Sequence, residues 1–260
     1  MLEKIIDIVR KSSELMREEI DVVQKGNECN YVTSADINVQ KFLEQHLQQL
    51  LPESGFIGEE KEEIDVENEY IWVVDPIDGT SNFIRGLGAS VISVGLLKGG
   101  KPYLGVIYDP YKDELYWAER GKGAYLNGKR IYVSERDFRH SHLCAAASIY
   151  NKDLAKPCLN IIERVYMQAD DFRRFGAAAL ELVYLAAGRV ELFFEMRLFP
   201  WDMAAAIVIV EEAGGIVENI HEDGLPLDRP AGIIAANSQE NFKRLREIVY
   251  EEIPNKLYEN

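Results

Sequence analysis

Apolar residues recur at Leu2, Ile5, Ile6, Val9, Leu15, Met16 and Ile20, three or four positions apart, which predicts an amphipathic helix over residues 2–23. Lys25-Gly26-Asn27 supplies its stop, because glycine accepts the left-handed turn that closes a helix. A polar stretch to Tyr31 follows. The next helix can be capped by Thr33 or Ser34 and runs through Phe42, Leu43 and Leu47 to Leu51 before Pro52. The period then changes to that of a strand. Residues 70–74 are aromatic and β-branched, and the strand is expected to halt at Asp75-Pro76, since proline cannot donate to a sheet ladder. Residues 91–97, 103–108 and 114–118 read as a meander joined by Lys98-Gly99-Gly100 and Asp109-Pro110, and Asn127-Gly128 is a strong hairpin turn.

Past Ser141 strands and helices alternate. Strands are expected at 142–148, 190–194 and 232–236, with helices at 154–167, 177–187, 200–213 and 238–251, several of them closed by glycine. There is no internal repeat or Pro/Ser-rich linker. The pattern predicts an α/β protein of layered sheets and helices, in an N-terminal half over residues 1–140 and a C-terminal half over 141–260.

Composition narrows the partners. Acidic residues outnumber basic ones 44 to 29, a net charge of −15, which disfavours nucleic acid and anionic membrane surfaces. No apolar run approaches the ~20 residues of a membrane span, and the charged, helical N-terminus does not resemble a signal peptide. Cys29, Cys144 and Cys158 are odd in number and lack C-x-x-C spacing, so reduced thiols in the cytoplasm are expected rather than disulfides or zinc. His140-x-His142 is an incomplete zinc set. If so acidic a chain binds phosphate, the positive charge must be local, and bound divalent metal is its natural source.

Three separated segments hold acids that folding alone does not require: Gly58-Glu59-Glu60, Asp75-Pro76-Ile77-Asp78-Gly79-Thr80 and Trp201-Asp202-Met203-Ala204-Ala205-Ala206. Asp75 stands at the carboxyl end of an apolar strand, where α/β proteins place ligands. Two carboxylates as close as Asp75 and Asp78 repel unless cations lie between them. Mg²⁺ takes oxygen ligands, which Asp75, Asp78 and the Ile77 carbonyl supply. Gly79-Thr80, at the start of a short helix, lets a phosphate oxygen approach the backbone; the bland alternative is an acidic turn. Pro200 suits the first helical position and puts Asp202 in the first turn. A dipole-complementing acid explains that placement, but not the apolar stretch after it, where a buried carboxylate needs a partner. Glu59 follows the short apolar Phe56-Ile57, whereas Glu60 reads as surface.

Together, in that order and separation, the three segments closely resemble the inositol monophosphatase family of lithium-sensitive, Mg²⁺-dependent phosphatases, from Lys25 to Gly215. The resemblance implies an αβαβα sandwich of the inositol monophosphatase and fructose-1,6-bisphosphatase type, a homodimer, and two to three Mg²⁺ ions. Glu59, Asp75 and the Ile77 carbonyl would hold one ion and Asp75, Asp78 and Asp202 a second, with a weaker third near Glu59. Gly79, Thr80 and Lys25 would receive phosphate. Thr80 with Glu59 would activate water, and Asp36 would hydrogen-bond Thr80. Glu195 and Gly176-Ala177-Ala178 would face the polyol, Ala177 standing where relatives often carry Ser or Thr.

The implied activity is hydrolysis of inositol monophosphate or a similar polyol phosphate by metal-activated water. Relatives suggest alternatives: a phosphatase for fructose 1,6-bisphosphate, nucleotide 3'-phosphates or NADP, or a non-catalytic regulatory protein like those that bind the transcription machinery. Arg173 and Arg174 could serve a second phosphate, although an exposed charged pair ahead of a helix is the plainer reading.

Overall fold

The computed structural model describes residues 1–17, 21–24, 31–61, 68–147, 152–220, 226 and 229–253. Helix α1 (Leu2–Ser12) buries Ile5 and Val9 and leaves its charged face in solvent. It is shorter than its periodicity predicts. A 3₁₀ turn covers Ser13–Arg17, and Val22–Gln24 is a strand, β1, paired antiparallel with β2 (Tyr31–Thr33). Val22 and Val23 are β-branched and gain more from that pairing than from a helical turn. The stop at Lys25-Gly26-Asn27 and the thiol of Cys29 lie outside the described residues.

Helix α2 (Ser34–Leu50) starts where its cap predicts: the Thr33 side chain accepts from Asp36 N while Asp36 accepts from Thr33 N. The chain then enters β3 (Gly55–Gly58) and β4 (Tyr70–Asp78), which pair in parallel. β4 does not halt at Asp75-Pro76. Its register with the next strand shifts between Asp75 and Asp78, so proline falls where the ladder is already broken. After α3 (Thr80–Ile84) come β5 (Val91–Lys98), β6 (Lys101–Asp109), β7 (Glu114–Glu119), β8 (Ala124–Leu126) and β9 (Lys129–Ile131). These strands complete a seven-stranded sheet in the order β3-β4-β5-β6-β7-β8-β9.

A second sheet follows. Its members are β10 (His142–Ala145), shorter than expected and with the anticipated end at Ser148 outside the described residues, then β11 (Asp171–Arg173), β12 (Leu192–Leu198), β13 (Ile216–Asn219) and β14 (Ala231–Ala236). Their spatial order is β11-β10-β12-β14-β13. The remaining helices are α4 (Ala155–Tyr166), α5 (Ala178–Ala186), α6 (Pro200–Glu212) and α7 (Gln239–Glu252).

Alternation along the strands assigns the layers. In β4, Trp72 and Val74 face α1 and α2, whereas Ile71 and Val73 face α5 and α6. In β12, Phe193 faces α5 and α6, whereas Leu192 and Phe194 face α4 and α7. The result is an αβαβα sandwich. Helices α5 and α6 lie between two sheets and are apolar nearly all round, as a helix without a solvent face must be. Gly95 and Gly105 pair across β5 and β6 directly beneath α6. A Cβ on Gly105 would stand 2.2 Å from the Ala205 carbonyl oxygen and one on Gly95 3.0 Å from Ala205 N. This glycine pair lets α6 sink onto the large sheet, which fixes the height of Asp202.

Candidate active site

The register shift in β4 turns Asp75 and Asp78 toward one cavity. Asp75 Oδ1 accepts from Ile77 N at 3.0 Å, so the acid braces its own turn. Gly79 sits at φ +86°, and a Cβ there would meet Ala177 Cβ and the Ala89 carbonyl at 3.0 Å. Glycine is therefore required for backbone geometry as well as for open access. Asp78 reaches the amino end of α5, accepting from Ala178 N at 3.1 Å and Ala179 N at 2.7 Å, a favourable place for a carboxylate.

Asp36 is fully buried. Its Oδ2 accepts from Thr33 N at 2.7 Å and Thr33 Oγ1 at 2.6 Å, and its Oδ1 accepts from Thr80 Oγ1 at 3.3 Å. The Thr80 hydroxyl also lies 3.1 Å from the Ile77 carbonyl oxygen. One residue thus closes the capping box of α2 and orients Thr80. Glu59 follows Gly58, whose missing side chain leaves room for Gln40: a Cβ would stand 2.5 Å from Gln40 Oε1. Gln40 Oε1 accepts from Glu60 N at 2.8 Å, which holds the turn carrying Glu59 at the cavity wall. Glu60 is half-buried, and its charge acts on Asp36, so it is less peripheral than a surface residue.

Asp202 enters from α6. Its Oδ2 accepts from Phe199 N at 2.7 Å, the helix-capping role expected of a first-turn acid, and it also hydrogen-bonds Asp75. Burial, reinforced by the charges of Glu59, Asp78, Asp202 and Asp36, holds Asp75 well above the usual carboxylate range. Burial and the Asp78 charge do the same to Asp202, and burial pushes Asp78 up to about 6 against the pull of three α5 amides. Crowding of these carboxylates raises them because like charges so close disfavour the ionised form. Among the described residues no group of three or more His, Cys, Asp or Glu stands ready to hold an ion. Like charges separate, and Asp78 and Asp202 are turned onto backbone amides. The donor chemistry nevertheless fits a hard cation: the candidate ligating atoms are oxygens, and among the described residues no histidine or cysteine lines the cavity.

The opposite wall is built from β12 and the turn before α5. Glu195 and Gly176, Ala177 and Ala178 line it. Burial, with the charges of Glu181 and Asp78, pushes Glu195 up to about 8. Glu181, buried on α5, accepts from Phe175 N and from Gly176 N at 2.9 Å, and burial pushes it up to about 7. Asn82 Nδ2 bridges the carbonyls of Ala89 (2.8 Å) and Phe175 (2.7 Å). Glu181 and Asn82 together tie the α5 turn to α3.

The chain as a whole is similar to known proteins. The profile of the inositol monophosphatase family matches residues 1–253. The chain belongs to that family. An inositol-1-monophosphatase of Rhizobium meliloti is 36% identical over 241 residues, covering 92% of this chain and 90% of the relative. The Nus factor SuhB of Escherichia coli is 37% identical over 227 residues, covering 84% and 85%. The crystal structure of the extragenic suppressor protein suhB from Bartonella henselae superposes with a TM-score of 0.89 at 35% identity, covering 97% of this chain and 99% of that one.

Of the residues that the inositol monophosphatase resemblance singles out, Glu59, Asp75, Ile77, Asp78, Gly79, Thr80, Gly176, Ala177, Ala178, Glu195 and Asp202 line one cavity, with Asp36 directly behind Thr80. Lys25 lies outside the described residues. Sequence reasoning missed Tyr31, Glu181 and Arg197 at the same cavity. It also treated Arg173 and Arg174 alike, but they part company. Arg173 pairs with Asp171, while Arg174 faces the cavity.

Proposed function

We propose that this chain is a phosphomonoesterase that hydrolyses phosphate esters of small polyols, with inositol monophosphate as the reference substrate, using two to three Mg²⁺ ions in a cytoplasmic homodimer. The observation that carries the reading is the convergence of Glu59, Asp75, Asp78 and Asp202, from β3, β4 and α6, on one cavity beside the Thr80–Asp36 pair.

In this reading Glu59, Asp75 with the Ile77 carbonyl, Asp78 and Asp202 hold the ions. When bound, the metal lowers the pKa of water and neutralises phosphate and leaving-group charge, so no covalent nucleophile is needed. The chain's own residues do the rest. Asp36 accepts the hydrogen bond of the Thr80 hydroxyl, which leaves the threonine oxygen free to accept one from the attacking water. Glu59, on the adjoining wall, accepts the water's other hydrogen bond and takes that proton as the water attacks phosphorus. The amides of Gly79 and Thr80 receive phosphate oxygens, and Lys25 adds charge there. Glu195 and the Gly176–Ala178 turn accept and orient polyol hydroxyls, with Ala177 giving up one polar contact.

Phosphate release from inositol 1-phosphate with Mg²⁺ tests the proposal. Asp78→Asn and Asp202→Asn should each lower kcat by on the order of 100-fold or more, since even outer partners of metal ligands cost 10–100-fold. A second reading, a regulatory binding protein, is favoured by the relative named a Nus factor, which matches as well as the phosphatase does. Wild-type protein that releases no phosphate from any monoester would give that reading precedence.

A further inference from the structure

Two carboxylates at the polyol end of the cavity have unfinished hydrogen bonding. Glu181 stands in the first turn of α5 and is only 2% exposed. Its Oε1 alone accepts both amides of the preceding turn, from Phe175 N and from Gly176 N at 2.9 Å. Among the described residues no group donates to Oε2. Enclosed side-chain atoms without a partner are Trp72 Nε1, in the core against α2, and Asn241 Oδ1, on α7; Glu181 Oε2 is not among them, so it opens to the cavity that Glu181 lines. Glu195, on β12, lines the same cavity and likewise accepts no hydrogen bond from a described residue. The two acids are close enough that Glu181 is the charge acting most strongly on Glu195.

The direction of Glu181 is fixed before any ligand arrives. Oε1 is pinned by the two amides, and the turn that supplies them is held from its other side by Asn82, which donates to the Phe175 carbonyl at 2.7 Å. Such pre-ordering spares the entropy of arranging the group on binding. Arg174 acts on both acids from the cavity mouth without pairing with either. An anionic group between the acids would meet like charge, and a hydrocarbon would leave the acceptors unmatched at a cost. A neutral group that donates to both acids satisfies them, and neighbouring hydroxyls are such a group.

We propose that Glu181 is a specificity-determining residue: its Oε2 accepts one hydroxyl of the polyol beside the hydroxyl taken by Glu195, so that the two acids together read a pair of neighbouring hydroxyls. The inference rests on the phosphatase reading and narrows its substrate class to phosphate esters of polyols with adjacent free hydroxyls. Because these hydroxyls are remote from the reacting bond, their contribution falls mainly on KM.

The test compares inositol 1-phosphate with cyclohexyl phosphate, which keeps the ring and the ester but has no hydroxyl. The assay is run at pH 8, where Glu181, pushed up by burial to about 7, is ionised. Wild type should favour the inositol ester by about 100-fold or more in kcat/KM, since buried acceptors go unmatched with the other. Glu181→Gln keeps an oxygen for the two turn amides but presents an NH₂ group to the cavity. It should narrow the preference by about tenfold, through a higher KM for inositol 1-phosphate. Inositol 1-phosphates lacking single hydroxyls give a second reading that needs no variant: in wild type, loss of either of two neighbouring hydroxyls should each cost about tenfold. Wild type that takes both esters equally well overturns the proposal, as does a preference that Glu181→Gln leaves intact. Equal losses on both esters in that variant would mean that Glu181 only holds the turn, which overturns it too. So does a deoxy series in which a single hydroxyl matters. Hydrolysis of inositol 1-phosphate in any of these cases leaves the phosphatase reading standing, whereas failure to hydrolyse either ester removes both.

Discussion

Asp36 shows how much one buried side chain carries. Its carboxylate takes three hydrogen bonds, two from Thr33 and one from Thr80, and an amide in its place keeps only one accepting oxygen. Asp36→Asn should therefore keep most of the α2 cap at a cost of about 1 kcal/mol, while leaving Thr80 free to turn. The expected result is a fall in kcat of roughly 10–100-fold with little change in KM, read from steady-state kinetics beside a denaturation curve. Kinetic loss in step with loss of folded protein would mean that the residue is only a cap. Residues of this kind were legible in the chain because an acid beside an apolar run has no folding reason to be there; Asp75 and Asp202 betray themselves in that way. Glu181, Arg174 and Arg197 do not. Glu181 sits in a helix where acids are ordinary, and the arginines gain meaning only once the turn before α5 and the end of β12 are seen to share a cavity.

Helix α6 owes its position to two residues it does not contain. With Gly105 against the Ala205 carbonyl at a would-be Cβ distance of 2.2 Å, Gly105→Ala must lift the helix or bend β6. Overpacking of this sort costs about 1–3 kcal/mol. Because Asp202 and Trp201 ride on the first turn of the same helix, Mg²⁺-supported turnover should fall by more than the lost stability accounts for. Gly95→Ala, with its nearest contact at 3.0 Å, should be milder in both respects. Equal kinetics for the two variants would show that the height of α6 does not matter to the site. At this scale the long, strongly periodic elements were readable from sequence: α2, α6, α7 and the β5–β7 meander fall within a few residues of expectation. What escaped were short strands. β11 and β13 have three and four residues, too few for alternation to register, and β1 was absorbed into the apolar stripe of α1. β4 was cut short because proline reads as a stop unless a shift in pairing, invisible in one strand's sequence, excuses it.

Across the whole molecule the buried acids make stability depend on pH in a direction opposite to that of a protein held by surface ion pairs. Asp75 and Asp202 are held well above the ordinary carboxylate range, Asp78 at about 6, Glu181 at about 7 and Glu195 at about 8. In the unfolded chain these groups titrate near 4. Between those limits the folded state binds more protons than the unfolded one, so stability is fully present below the unfolded values and drains away as pH rises through the folded ones. Carboxylates with lowered values, Glu114 and Glu119 among them, finish titrating below this window and do not oppose the trend. In chelator, therefore, Tm should fall from pH 5 to pH 8. A divalent cation reverses the logic, because it binds the ionised acids, releases their protons and relieves the repulsion that burial imposes. The Tm difference between Mg²⁺-loaded and chelator-treated protein should be small at pH 5 and widen steadily to pH 8, and Asp202→Asn should shrink it. A difference of equal size at both ends would mean that the cation binds without displacing protons, and that these acids do not form the cage.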